Sequence, residues 1–203
     1  MRPKGSNPCN GIARYKRQLP ERYLSDAEIR RLGRALATVD SGSLHLAPTV
    51  RLLLFTGARS GEITTLRWEY VRADRLLLPN SKTGPKTIWL NAPARHSIAS
   101  LTDHSDEGWL FPSGRGDRPF RIDRQWFKLR RAAALPDVRL HDLRHSFASI
   151  GIADRIPLAT IGKLLSHALP ETTARYAHLA DEAVAEAADR VCEGLASAMG
   201  LAA

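Results

Sequence analysis

The stretch RLLLPNSKTGPKTIWLNA, residues 75–92, constrains the fold more than any other part of the chain. Two short apolar or β-branched runs flank Asn80, Ser81, Lys82, Thr83, Gly84 and Pro85. That pattern predicts an antiparallel β-hairpin with Lys82 at or near its turn. The segments around it have helical spacing instead. SDAEIRRLGRAL opens with Ser25 and Glu28 in a capping-box arrangement, followed by an Ile29, Leu32, Leu36 stripe. A second helix is expected from Leu46 to Thr56, with Pro48 in its first turn and Gly57 at its end. SGEITTLRW starts a third. More helices are expected at about 93–102, 122–134, 142–153 and 157–166, and another begins at Pro170 and carries Tyr176. In DEAVAEAADRVCEGLASAM, apolar residues recur at Val184, Ala188, Val191, Leu195 and Met199, a narrow helical stripe. The fold class is therefore mainly α with a small antiparallel β-hairpin, an α+β arrangement.

A chain of 203 residues suits one sizeable domain with an appendage. Residues 1–20 carry Pro3, Gly5, Pro8, Gly11 and Pro20 among Arg2, Lys4, Arg14, Lys16 and Arg17, and read as a basic interdomain linker or arm. Residues 21–180 form the main domain, and 181–203 a C-terminal helix and tail. The 30 Lys and Arg against 21 Asp and Glu point to a polyanionic partner, most simply nucleic acid. The plain alternative is a basic but otherwise ordinary protein. Cys9 and Cys192 lie near opposite ends and form no CxxC, which argues against a disulfide framework or a structural zinc and for a reducing, cytoplasmic setting. The N-terminus has no apolar signal core, and no run is long enough to span a bilayer.

One group of polar residues has no simple structural explanation. Arg59 follows FTGA, where a helix ending at Gly57 leaves the next residues in a turn. Lys82 sits at the hairpin tip. His141 and Arg144 in RLHDLRHSFAS are one helical turn apart. His167 ends LLSH, and Tyr176 stands in TTARYAH. Singly, each has an ordinary reading: a capped or paired arginine, a solvated turn lysine, a helix face paired to Asp142, a packed tyrosine. His141 and His145 have metal-pair spacing, but the Glu of HExxH is missing and Arg144 would repel a cation. Taken together, two arginines, a lysine, two histidines and a tyrosine suit chemistry at a phosphodiester. Guanidinium forks bind phosphate and stabilise the extra charge of a pentacoordinate transition state. A phenol with a reference pKa of about 10 becomes a better nucleophile in a cationic pocket. A lysine can protonate the departing oxygen and a histidine can carry a proton. No metal or other cofactor is needed, and no GxxxxGK[ST] phosphate loop occurs.

These boxes, in this order, resemble the tyrosine recombinases, or phage-type integrases, from about residue 8 to about residue 190. TGARSGEITTLRW is similar to the family's first arginine box, with Arg59 and the acidic Glu62. SKTG before TIWL resembles its hairpin lysine. HDLRHSFAS is very close to its His-x-x-Arg box, and IGKLLSHALPETTARYAHL resembles its last box. The resemblance implies the tyrosine recombinase catalytic fold and site-specific recombination of double-stranded DNA. Tyr176 would attack a scissile phosphate to give a 3′-phosphotyrosyl link. Arg59 and Arg144 would hold the non-bridging oxygens, and Lys82 would protonate the leaving 5′-oxygen. His141 would handle the tyrosine proton, His167 would donate a hydrogen bond to the phosphate, and Glu62 would orient Arg59 or another member of the set. It also implies a homotetramer on two duplexes, monomeric without DNA, with the C-terminal helix docked on a neighbouring subunit; the competing expectation for that helix is a core-facing stripe.

Two departures stand out. Ser166 replaces the glycine that usually precedes the histidine, which is tolerable so long as the backbone there does not need φ > 0. The family usually carries an N-terminal helical domain that clamps DNA, where this chain has only NPCNGIARYKRQLPERYLS, as in a fragment or a truncated relative. The rival readings are type IB topoisomerase-like relaxation and a non-catalytic DNA-binding remnant.

Overall fold

The structure is a computed structural model that describes residues 22–39, 44–81, 84–101, 105, 107–114, 116, 118–166, 173–174 and 176–199. The expected arm at 1–20, Lys82 and His167 lie outside the described residues. Among the described residues the elements run α1 (Asp26–Ala37), α2 (Leu46–Thr56), α3 (Ser60–Thr64), β1 (Arg75–Ser81), β2 (Gly84–Trp89), α4 (Ala92–Ala99), α5 (Asp123–Ala132), α6 (Leu140–Ala153), α7 (Leu158–Leu165) and α8 (Asp181–Ala198). Short 3-10 turns stand at Trp68–Tyr70 and Ala177–Leu179. The mainly helical architecture with one antiparallel hairpin is the expected one.

Local chemistry sets most of the boundaries. Ser25 and Glu28 cap α1 reciprocally, the Glu28 carboxylate accepting from Ser25 N at 2.9 Å and Ser25 Oγ from Glu28 N at 3.4 Å. Arg22 pairs with both Glu28 and Asp137, and the Glu28 carboxyl falls to about 2, chiefly through the Arg22 hydrogen bond. Leu24 N donates to Ser146 Oγ at 2.8 Å, which ties the start of this segment to α6. The hairpin pairs Arg75 with Trp89, Leu76 with Ile88 and Leu78 with Lys86, and slips register between Leu78 and Ser81. Helix α3 is only one turn long, and α4 and α5 begin and end within three residues of expectation. Tyr176 lies just ahead of the 3-10 turn at Ala177 rather than within an α-helix.

The core has two parts. The larger gathers α1, α2, the hairpin, α4 and α5 around Leu32, Leu52, Leu53, Leu76, Phe111 and Leu143. The smaller joins α6, α7 and the 3-10 turn through Ala148, Ile152, Ile161, Leu165 and Tyr176. Helix α6 belongs to both. The α8 stripe does not join either one, because Val184, Val191, Leu195 and Met199 are all exposed. Of the two expectations for that helix, the core-facing one is corrected.

Two backbone positions near the junction of these cores are unusual. Gly57 ends α2 at φ 62°, and a Cβ there would lie 2.6 Å from the Phe147 ring and 2.7 Å from Leu165. Ser166 ends α7 at φ 51°, ψ 53°, so the left-handed conformation is required and the serine is strained. Gly57→Ala should cost roughly 2–4 kcal/mol, left-handed strain plus overpacking. Ser166→Gly should add about 0.5–1 kcal/mol, strain relief less the extra chain entropy. Urea unfolding of both variants against the parent chain checks both signs.

Candidate active site

The turn after α2 carries the first part of the site. Because Gly57 leaves the helix in the left-handed region, the chain becomes extended at Arg59, which starts α3 with φ −73° and ψ 148°. Glu62, one turn later, reaches back. Its Oε2 accepts from Arg59 N at 2.9 Å and its Oε1 from Arg59 Nη1 at 2.9 Å. Strand β2 completes the cluster from the other side, where Lys86 Nζ donates to Glu62 Oε2 at 2.8 Å. The Lys86 and Glu62 side chains are 2% and 8% exposed, whereas that of Arg59 is 31% exposed. A buried carboxylate thus stands between a buried ammonium and a guanidinium that reaches solvent.

Helix α6 supplies the second part. Its first turn is capped by Asp142, fully buried, which accepts from Arg139 N at 2.7 Å and from the Arg139 guanidinium. That leaves Asp142 paired to Arg139, not to Arg144. The buried Arg144 guanidinium donates to Gly57 O at 2.5 Å and to Leu165 O at 2.8 Å. Both acceptors stand at helix C-termini, of α2 and α7, where aligned peptide dipoles place partial negative charge. Among the described residues, no carboxylate stands within salt-bridge distance of this guanidinium.

Electrostatics joins the two parts. Burial first, and then the charge of Arg59, push Arg144 down to about 10. Burial also lowers Lys86, opposed by its bond to Glu62 and reinforced by Arg144 and Arg59. For Glu62 burial raises the carboxyl, but the hydrogen bonds from Lys86 and Arg59 more than offset it, and the net direction is downward. Arg59 and Lys86 therefore bond one carboxylate and Arg144 acts on it through space, three positive charges against one negative.

Tyr176 lies in the smaller core against the same helix. Its ring is 1% exposed, and its hydroxyl lies 2.7 Å from His145 Nδ1. A neutral His145 carrying its proton on Nε2 accepts the phenol hydrogen there. The His141 ring meets that of His145 edge-on at 4.7 Å between centroids, and His141 itself is exposed. Among the described residues no three potential metal-ligating side chains converge, and no helix is long and apolar enough to cross a membrane.

The Phage integrase family sequence model matches residues 22–183. The chain belongs to the phage integrase family. Among its relatives in that family, the integrase of Escherichia phage P2 is 32% identical over 189 residues, 90% of this chain and 51% of that protein. The tyrosine recombinase XerD of Rhizobium meliloti is 28% identical over 186 residues, 82% of this chain and 59% of that protein. The chain thus spans about half the length of the curated relatives it matches. In three dimensions, the crystal structure of XerA recombinase superposes with TM-score 0.68 at 26% identity, covering 88% of this chain and 66% of that one. The catalytic domain of bacteriophage HP1 integrase gives 0.62 at 26% identity, covering 84% and 95%. The tyrosine recombinase catalytic fold is the fold of this phage integrase family member.

Of the candidate residues, Arg59, Glu62 and Arg144 come together in this cluster, and Tyr176 and His141 lie along α6 beside it. Two further residues emerge that sequence reasoning did not assign. His145 meets the Tyr176 hydroxyl at 2.7 Å; it follows Arg144 directly, and its apparent metal-pair spacing with His141 obscured it. Lys86 shares the inward face of β2 with the buried Ile88, so a lysine in phase with core residues was the available signal.

The lowered Glu62 carboxyl has a consequence for stability. A carboxyl depressed on folding stabilises at pH above its unfolded value, and this stabilisation is lost as pH falls through the folded value. Glu62→Gln should therefore lower stability at neutral pH by roughly 2–4 kcal/mol, by leaving buried cations short of their carboxylate. It should also flatten the acid limb of the profile. Denaturant unfolding across the acid and neutral range reads both effects.

Proposed function

We propose that this chain is the DNA-cleaving and rejoining part of a site-specific recombinase. The observation that carries the reading is the net-positive cluster of Arg59 and Lys86 on Glu62 beside Arg144, whose helix also carries the His145 that bonds the Tyr176 phenol. Two excess positive charges match the dianionic pentacoordinate phosphorus of a phosphodiester transition state. In this reading Arg59 and Arg144 hold the non-bridging oxygens and Glu62 orients Arg59. Tyr176 attacks phosphorus in line; the P–O5′ bond breaks, a 3′-phosphotyrosyl ester forms, and Lys82 gives the 5′-oxygen its proton. His167 donates to a non-bridging oxygen. The phenol proton passes to the His141–His145 pair. One ester replaces another, so no nucleotide hydrolysis is needed, and attack by a partner strand's 5′-hydroxyl restores the phosphodiester.

A buried Tyr176 cannot meet a phosphate where it stands, so DNA binding must favour a state in which the phenol comes out of the smaller core. The exposed apolar stripe of α8 supports docking on a neighbouring subunit, as a tetramer on two duplexes requires. The basic excess of the chain supports duplex DNA as the substrate.

The test uses a pool of nicked duplexes with randomised core sequence, in which the short strand below the nick is lost after cleavage. The chain should form an adduct that survives denaturation. Tyr176→Phe should form at least about 1,000-fold less, having no oxygen to attack. An adduct undiminished by that substitution would remove Tyr176 from the nucleophile role, and no adduct with the parent chain would remove the cleavage reading.

A further inference from the structure

We propose that Lys86 is a positioning residue for Arg59, acting through Glu62. This rests on the recombinase reading above, since it concerns how the same site presents its first arginine.

The geometry makes the case. Lys86 is too deeply buried to touch DNA, at 2% side-chain exposure, so any effect it has on a phosphate must pass through a neighbour. Its ammonium meets Glu62 Oε2 at 2.8 Å. That oxygen also accepts from Arg59 N, and Oε1 accepts from Arg59 Nη1. A carboxylate facing an arginine alone settles into a bidentate fork, with both oxygens on guanidinium nitrogens. Here Lys86 and the backbone amide hold Oε2, so the carboxylate meets the guanidinium through Oε1 and Nη1. The guanidinium is steered but not captured, and it keeps its reach toward solvent.

Charge reinforces this. Paired one to one, Arg59 and Glu62 would sum to zero and present little to an anion. Lys86 offsets the carboxylate, so the Arg59–Glu62–Lys86 triad keeps one positive charge beside Arg144. A lysine suits the place better than an arginine, because its compact ammonium satisfies one oxygen without competing for both. The same bond fixes β2, through a residue four beyond Lys82 in sequence, to the start of α3.

The test compares single-turnover adduct formation by the 203-residue chain and its variants on the nicked-duplex pool, with DNA affinity measured separately by filter binding and folding by circular dichroism. Lys86→Met keeps side-chain length and removes the charge. It should slow adduct formation roughly 100-fold, while affinity for the same DNA changes less than about threefold, because a misplaced guanidinium costs the transition state more than the ground state. Lys86→Arg, which keeps the cation but competes for both Glu62 oxygens, should recover only part of the rate. In a Glu62→Gln background, where there is no carboxylate to restrain, adding Lys86→Met should change the rate less than about threefold. Should Lys86→Met alone fail to fold, the Glu62→Gln chain and the double variant still give that comparison, and a large difference between them overturns the proposal. So does a folded Lys86→Met that reacts at the parent rate, or one whose rate and affinity fall together. A parent chain that forms no adduct overturns the recombinase reading itself, and this inference with it.

Discussion

The Arg144 guanidinium is the interaction on which the arrangement depends. A buried cation with no partner costs several kcal/mol, and this one is held by the carbonyls at the ends of α2 and α7. Each charge-assisted bond contributes about 1.5–3 kcal/mol. The requirement fixes three helices at once: α6 must place Arg144 between two C-termini, and those termini must point inward. The left-handed turn at Gly57 makes one of them possible, and the same turn brings Arg59 to its place at the head of α3. A single backbone conformation thus sets the acceptor for one arginine and the position of the other.

How much of this was legible in the sequence follows from how local each signal is. The Ser25–Glu28 box, the Gly57 stop and the hairpin between two β-rich runs are decided within a few residues, and each stands as read. Arg59, Arg144 and Tyr176 were found by motif order, which carries information about space that spacing alone does not. Lys86 was missed because its importance lies in a partner 24 residues away on another element. His145 was missed because helical spacing places it near His141, but only packing of α6 against the turn at Tyr176 shows that it, rather than His141, faces the phenol. The α8 stripe had two expected fates, since periodicity shows that a face is apolar and not what covers it. Ser166 depended on a dihedral angle that no residue type reveals except glycine, and the residue there is not glycine.

Neighbouring residues of α6 serve opposite sides of the site. Arg144 turns toward α2 and α7, and His145, about 100° further round the helix, turns toward Tyr176. On the proposed reading, the helix therefore separates an anion-binding side from a nucleophile side while joining them rigidly. In-line attack needs them brought together, and energetics indicates which half moves. Pulling Arg144 from its two carbonyls strands a buried charge, at a cost of about 3–5 kcal/mol. Releasing Tyr176 gives up a hydrogen bond of about 0.5–1.5 kcal/mol net and the burial of one aromatic ring, roughly 2–3 kcal/mol, part of which the ring recovers against DNA. Neither involves a charge left in apolar surroundings. On the proposed reading, the Arg144 side is thus the fixed frame and the Tyr176 phenol the group that must shift. The differential affinity that DNA must supply is then a few kcal/mol, within the range that contacts to a charged backbone provide.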